Sequence, residues 1–243
     1  MEMEVMDLVD VAVAAHGGLD RWKGYTSVSA HLKAGGVLWS LKQQSGPLDD
    51  TKVRVALHRE YASHYPFGDA GLHTVFTPER VAIENQATEV IEERLNPRAA
   101  FEGHTLDTPW DKLHLAYFAG YAMWTYLTAP FSFTMPGFQT EELSPWQEDG
   151  QTWRRLSVEF PDSIATHSKQ QTFYFDREGL VRRHDYTSEV LGAGPAAHYS
   201  SGHREFGGIV VPTQRRVHLI GEDGSVMPDP LVVSIDIDDV VFE

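Results

Sequence analysis

Twelve histidines and nine tyrosines are the side chains of this 243-residue chain best suited to moving protons, and several recur at spacings that would bring them together. Arg182, His184 and Tyr186 alternate with Arg183, Asp185 and Thr187, so a strand here sends each trio to its own face. The stretch that follows carries His198, Tyr199, His203, Arg204 and Glu205, which could supply cross-strand partners: Arg183 with Glu205, for example, or His184 with Tyr199. Imidazole, phenol, guanidinium and carboxylate in one cluster suit general acid–base chemistry when burial tunes them towards neutral pH. Ion pairs on a solvated strand face are the competing explanation. His104 sits in a short loop, Phe101 to Leu106, where a scaffold's mouth would place functional groups; the alternative is a turn histidine. If the protein is an enzyme, the candidate catalytic residues are therefore His104, His184, Tyr186, His198 and His203.

Metal binding is a separate possibility for the same imidazoles. Ser200-Ser201-Gly202 could turn the chain so that His198 and His203 meet, with His167 and His184 as further ligands. No His-Glu-x-x-His pair or comparable spacing accompanies them, so no metal site is assigned. There is also no Gly-x-Ser-x-Gly elbow, P-loop or dinucleotide fingerprint, and no cofactor is implied.

A second group lies on an aromatic segment. His114, Tyr117 and Tyr121 fall at i, i+3 and i+7, and Trp124 extends the stripe, so on a helix they share one face. Facing a cavity, that stripe together with Tyr199 would form an aromatic ligand-binding wall with a few polar groups. Facing the sheet, it would be core with locally satisfied hydroxyls.

Composition limits the remaining classes. An apolar content of 42% supports a sizeable core, and no linker-like stretch or internal repeat divides the chain, so one domain spanning residues 1–243 is expected. The net charge of −15 repels phosphate backbones and makes nucleic acid a poor partner. Without cysteine there is no disulfide, thiolate nucleophile, Cys-ligated zinc or lipidation cysteine. The chain opens Met1-Glu2-Met3-Glu4, acidic where a secretory signal is positive, which points to a cytoplasmic protein. The longest apolar stretch, Trp110 to Phe133, is broken by Asp111, Lys112, His114 and Pro130, so no transmembrane segment is expected.

The elements that must position these groups follow from periodicity. Val5, Leu8, Val9, Ala12 and Val13 make an amphipathic helix from Val5 to His16, closed by Gly17-Gly18, with a short turn from Leu19 to Gly24. Strand-like runs Thr26 to Ala34 and Val37 to Gln43 flank Gly35-Gly36 as a hairpin, and Val53, Val55 and Leu57 alternate as a strand. Further hairpins turn at Asn85 to Thr88, at Glu148-Asp149-Gly150 and at Asp176 to Gly179; strands from Ile209 to Ile220 and from Leu231 to Phe242 close the chain. The aromatic segment reads as a helix capped by Thr108, with Pro109 at its first position and Asp111 completing a capping box, ending before Pro130. Apolar on nearly every side, it must be buried on nearly every side. The result is an α+β architecture: a curved antiparallel sheet, an incomplete barrel, wrapped around a buried aromatic helix, with an amphipathic helix at the amino terminus.

Three segments carry a family resemblance. Ala14-Ala15-His16-Gly17-Gly18-Leu19-Asp20-Arg21-Trp22, then Phe173-Tyr-Phe-Asp176 through Asp185-Tyr186, then Phe206-Gly-Gly-Ile209 with Pro212-Thr213 and Ile235 to Val240, resemble the LolA/LppX-like lipoprotein carriers, the outer-membrane lipoprotein-sorting type. The resemblance implies a half-barrel with an apolar interior that holds a lipid or other hydrophobic small molecule. Missing export and lipidation signals, and strands rich in His, Tyr and Arg, leave open a cofactor-independent isomerase, lyase or cyclase acting on a lipophilic substrate. Oligomeric state is not indicated.

Overall fold

The computed structural model describes residues 7–243; Val5 and the acidic residues 1–4 lie outside the described residues. The first helix, α1 (Leu8–Ala15), is capped by the Asp7 carboxylate on the Val9 amide and buries Leu8, Val9, Ala12 and Val13. The expected turn after it is a short helix, α2 (Leu19–Lys23), whose Trp22 stacks at 4.2 Å on Phe131. Next come β1 (Ser27–Gly35) and α3 (Leu38–Leu41). The hairpin expected across Gly35-Gly36 is therefore not formed. Gly36, at φ +102°, lies so close to the Val232 carbonyl that a Cβ would stand 2.4 Å from it, and the apolar run after it coils instead of pairing.

A meander follows: β2 (Thr51–Ala56), β3 (Ala62–Tyr65), β4 (Leu72–Thr77), β5 (Arg80–Asn85) and β6 (Val90–Leu95). The aromatic helix α4 (Lys112–Thr128) then crosses to the other half: β7 (Gln139–Glu148), β8 (Gln151–Glu159), β9 (Gln170–Phe175), β10 (Val181–Thr187), β11 (Pro195–Phe206), β12 (Ile209–Leu219) and β13 (Val233–Phe242). Among the described residues these thirteen strands form one antiparallel sheet, ordered β6-β5-β4-β3-β2-β1-β13-β12-β11-β10-β9-β8-β7. Two meanders thus meet along the β1–β13 seam, with β6 and β7 as free edges, so the sheet is an open half-barrel.

Helix α4 begins three residues later than the Thr108 cap predicts. Asp111 is the N-cap: its carboxylate accepts from the His114 amide at 2.8 Å, and the His114 ring Nδ1 accepts from the Asp111 amide at 3.2 Å. Thr108 is held in the preceding turn, where its hydroxyl accepts from the Thr105 amide and its carbonyl accepts from the buried Lys42 ammonium at 3.1 Å. Every residue from Leu115 to Thr128 is buried, as expected of a helix apolar all round. Gly120 lets the fully buried Phe76 of β4 lie against the helix backbone; a Cβ there would meet its ring at 2.3 Å. No helix among the described residues is long and apolar enough to cross a membrane.

Candidate functional site

Helix α4 packs with one stripe on the β2–β6 half of the sheet and faces the β1, β12 and β13 side with the other. Between that second stripe and the sheet lies an apolar cavity of about 40 Å³. Phe118, Ala119, Ala122, Met123 and Tyr126 form its helix wall. Leu32, Trp39, Val217, Val233 and Ile235 are among the residues that face them, and His64 and Tyr186 also line the space.

The stripe that sequence spacing singled out lies on the far side of α4. Tyr117 packs edge-on to Phe76 at 5.5 Å, Tyr121 touches His167, and Trp124 donates its indole N–H to the Ala56 and Arg59 carbonyls. His114 is occupied at the helix start, its Nε2 donating to the Ala100 carbonyl at 3.3 Å. Its ring lies 5.0 Å from that of His104, outside the cavity lining. Tyr199 is on the opposite face of the sheet, where its hydroxyl donates to Glu148 at 2.6 Å.

The expected partners in the second meander are rearranged. Arg183 does not pair with Glu205: it lies buried on the outer face between Asp185 and Glu148, 2.7 Å from each, and stacks over Tyr174. His184 stands opposite His198 rather than Tyr199, as direct cross-strand neighbours on the inner face, with ring centres 5.9 Å apart. His198 and His203 do not meet. Residues 200–202 continue β11 instead of turning, and His203 lies nearer α1, donating from Nε2 to the Val181 carbonyl at 2.9 Å with Arg182 on its Nδ1. Among the described residues the group with metal-ligand geometry is instead His31, Asp238 and Asp239, and the nitrogens of His31 are engaged by Asp50 and Asp238 at 2.7 and 2.6 Å.

Behind the cavity wall the inner-face residues form a buried polar chain. The Tyr121 hydroxyl contacts His167 Nδ1 at 3.3 Å, His167 Nε2 contacts the Tyr126 hydroxyl at 2.8 Å, and Tyr126 meets Tyr186 at 3.2 Å. His184 Nε2 bonds to the side-chain Oε1 of Gln171 at 2.5 Å, while neither ring nitrogen of the fully buried His198 has a partner among the described residues. Burial holds these imidazoles neutral: His167 falls to about 3, and His184 and His198 lie well below the usual histidine range. The same desolvation pushes Tyr126 up to about 12 and Tyr121 and Tyr186 well above the usual phenol range.

One member of this cluster escaped the sequence reading. Arg215, only 4% exposed, donates to the Tyr126 carbonyl at 2.6 Å and to Ser200 at 3.3 Å, and its guanidinium lies 5.0 Å from the Tyr126 ring centre. Among the described residues its Nε–H has no acceptor and it forms no ion pair. The signal was present in the alternation Ile209, Val211, Thr213, Arg215, Val217, where a charge occupies an inward position.

No family model and no curated protein matches the chain. Solved structures do. A DUF1329 family protein from Desulfovibrio piger aligns over 97% of this chain and 92% of its own, at 12% identity and a TM-score of 0.55. A putative outer membrane lipoprotein-sorting protein domain from Vibrio parahaemolyticus covers the same shares at 10% identity and a TM-score of 0.58. Identity this low concerns the fold alone. The chain thus shares its overall fold with a putative outer membrane lipoprotein-sorting protein domain, the type of fold that the three sequence segments implied.

Proposed function

We propose that this protein binds a lipid or other hydrophobic small molecule between α4 and the β1–β13–β12 wall, with the whole chain acting as one domain. The observation that carries the reading is the cavity itself, an almost wholly carbon-lined space inside the concavity of the sheet. Interiors close-pack and leave few such spaces. Two features suit a site that widens around a guest: small Ala119 and Ala122 on the helix wall, and the flexible Met123 beside them. The fold shared with the Vibrio domain, whose name is that of a lipoprotein-sorting protein, agrees with this reading.

A second reading, a cofactor-independent isomerase, lyase or cyclase, is favoured by one observation: the Tyr126 and Tyr186 side chains at the cavity wall join the histidine chain. General acid–base catalysis works best with groups that titrate near the operating pH. Here the imidazoles sit far below it and the phenols far above, so binding is the better-supported function.

Native mass spectrometry of gently purified protein, followed by titration with 1-decanol while the cavity residue Trp39 reports by fluorescence, tests the binding reading. Saturable quenching is expected in the wild type and not in Ala122→Leu, which fills the cavity. A wild type with no co-purified apolar molecule and no response to decanol would refute it.

A further inference from the structure

We infer that the guest is an anionic amphiphile of the fatty-acid type, with its carboxylate held by Arg215 and its tail in the apolar cavity. This rests on the binding reading above and deepens it. Arg215 lies in register between Ile235 of β13 and Ser200 of β11, and shares its strand face with Val217. Ile235 and Val217 both line the cavity, and the guanidinium stands behind Tyr126, a residue of the cavity's helix wall.

A buried guanidinium ordinarily has a carboxylate beside it, because removing a full charge from water is costly and fixed dipoles restore only part of the loss. Around Arg215 the compensation is partial. Its bond to the Tyr126 carbonyl places it on the last turn of α4, the negative end of the helix dipole, and the Tyr126 ring adds a cation–π contact. The facing titratable groups add no negative charge: His16, His184 and His198 are imidazoles held neutral by burial, and Tyr126 and Tyr186 are phenols kept protonated.

Unused donors complete the argument. The Nε–H of Arg215 and the ring N–H of His198 are both buried and unpartnered among the described residues, and both side chains pack on Tyr126, with guanidinium and ring centres 5.0 and 4.5 Å from its ring. A carboxylate accepts at two oxygens, so one head group would satisfy both donors and neutralise the charge. Both donors lie behind the Tyr126 ring, which forms part of the cavity wall, so a head group reaches them past that ring.

The experiment compares decanoate with 1-decanol, equal in chain length, at pH 8 by fluorescence titration and calorimetry. Charge-assisted hydrogen bonds predict that decanoate binds the wild type about ten- to a hundred-fold more tightly than decanol. Arg215→Met should remove that preference while retaining decanol affinity. Decanol binding as well as decanoate in the wild type would overturn this inference and leave the binding reading standing. Failure of both to bind would overturn both. Should Arg215→Met not fold, the wild-type ratio decides alone.

Discussion

Acidification should unfold this protein at a pH where most domains are stable, and the buried histidines set the size of the effect. His16 and His64 are lowered to about 4 and His167 to about 3, with His184 and His198 well below the usual range, all chiefly by desolvation. In the unfolded chain each returns to a value near 6.5. Between about pH 6.5 and the folded values the unfolded state binds protons that the native state refuses, so this stability is fully present above 6.5 and is lost as pH falls. Going from pH 7.5 to 5.5 costs about 1.4 kcal/mol per histidine, about 7 kcal/mol for the five. Glu60 opposes the trend, because its buried carboxyl is held well above the usual carboxylate range; allowing for it leaves a net loss of about 4 kcal/mol. That is a large part of the roughly 5–15 kcal/mol by which domains are stable. Urea unfolding followed by circular dichroism at half-unit steps from pH 8 to 5 measures the slope directly. His198→Leu should lower proton uptake on unfolding by close to one at pH 5.5 and gain about 1.4 kcal/mol relative to wild type between pH 7.5 and 5.5, whatever its effect at pH 8. A wild-type stability changing by less than about 2 kcal/mol over that interval would refute the reasoning, because it would mean that these imidazoles are not both buried and neutral.

Further outcomes follow from single contacts. Gly120→Ala gains about 1 kcal/mol of helix propensity but drives a methyl into the Phe76 ring, an overpacking cost of about 1–3 kcal/mol. Net destabilisation is expected in urea titrations, with partial rescue by Phe76→Leu; a more stable Gly120→Ala would show that the ring moves freely. Lys42→Met strips the Thr105, Leu106 and Thr108 carbonyls of their shared donor, and should cost about 3 kcal/mol and speed amide exchange in residues 105–110. Unchanged exchange there would remove Lys42 as the anchor of the turn before α4. Glu60→Gln keeps an acceptor for the Ala165 amide yet cannot ionise, so its stability relative to wild type should climb with pH above about 4.5, by at most about 1.4 kcal/mol per unit. A pH-independent difference between the two proteins would contradict the raised carboxyl.

How far these features could be read in the sequence depended on whether local chemistry or a distant contact decided them. The turns at 85–88, 148–150 and 176–179 follow from short-range backbone preferences and are where expected. The start of α4 was misplaced because Thr108-Pro109 offers good cap chemistry, while Lys42, 66 residues upstream, takes the Thr108 carbonyl into another turn. The residues after Gly36 coil because that glycine meets Val232, nearly two hundred positions away.

The site divides in the same way. Antiparallel register brings His184 beside His198 on one face, whereas their common neighbours Tyr126 and His167 come from α4 and a loop that no strand pattern relates. Helix α4 carries almost no amphipathic asymmetry, so its sequence alone could not say whether the Tyr117–Tyr121–Trp124 stripe or the Phe118–Ala122–Tyr126 stripe would face empty space. Arg215 differs, because its signal was local. In a strand whose other inward residues are Ile209, Val211, Thr213 and Val217, a guanidinium at the fourth inward position departs from the fold's own patterning. Departures from local rules that are only partly compensated concentrate at functional sites. On the fatty-acid proposal the counter-charge is the guest's, and Arg215 carries more information about that guest than the histidines, whose neutrality the fold already explains.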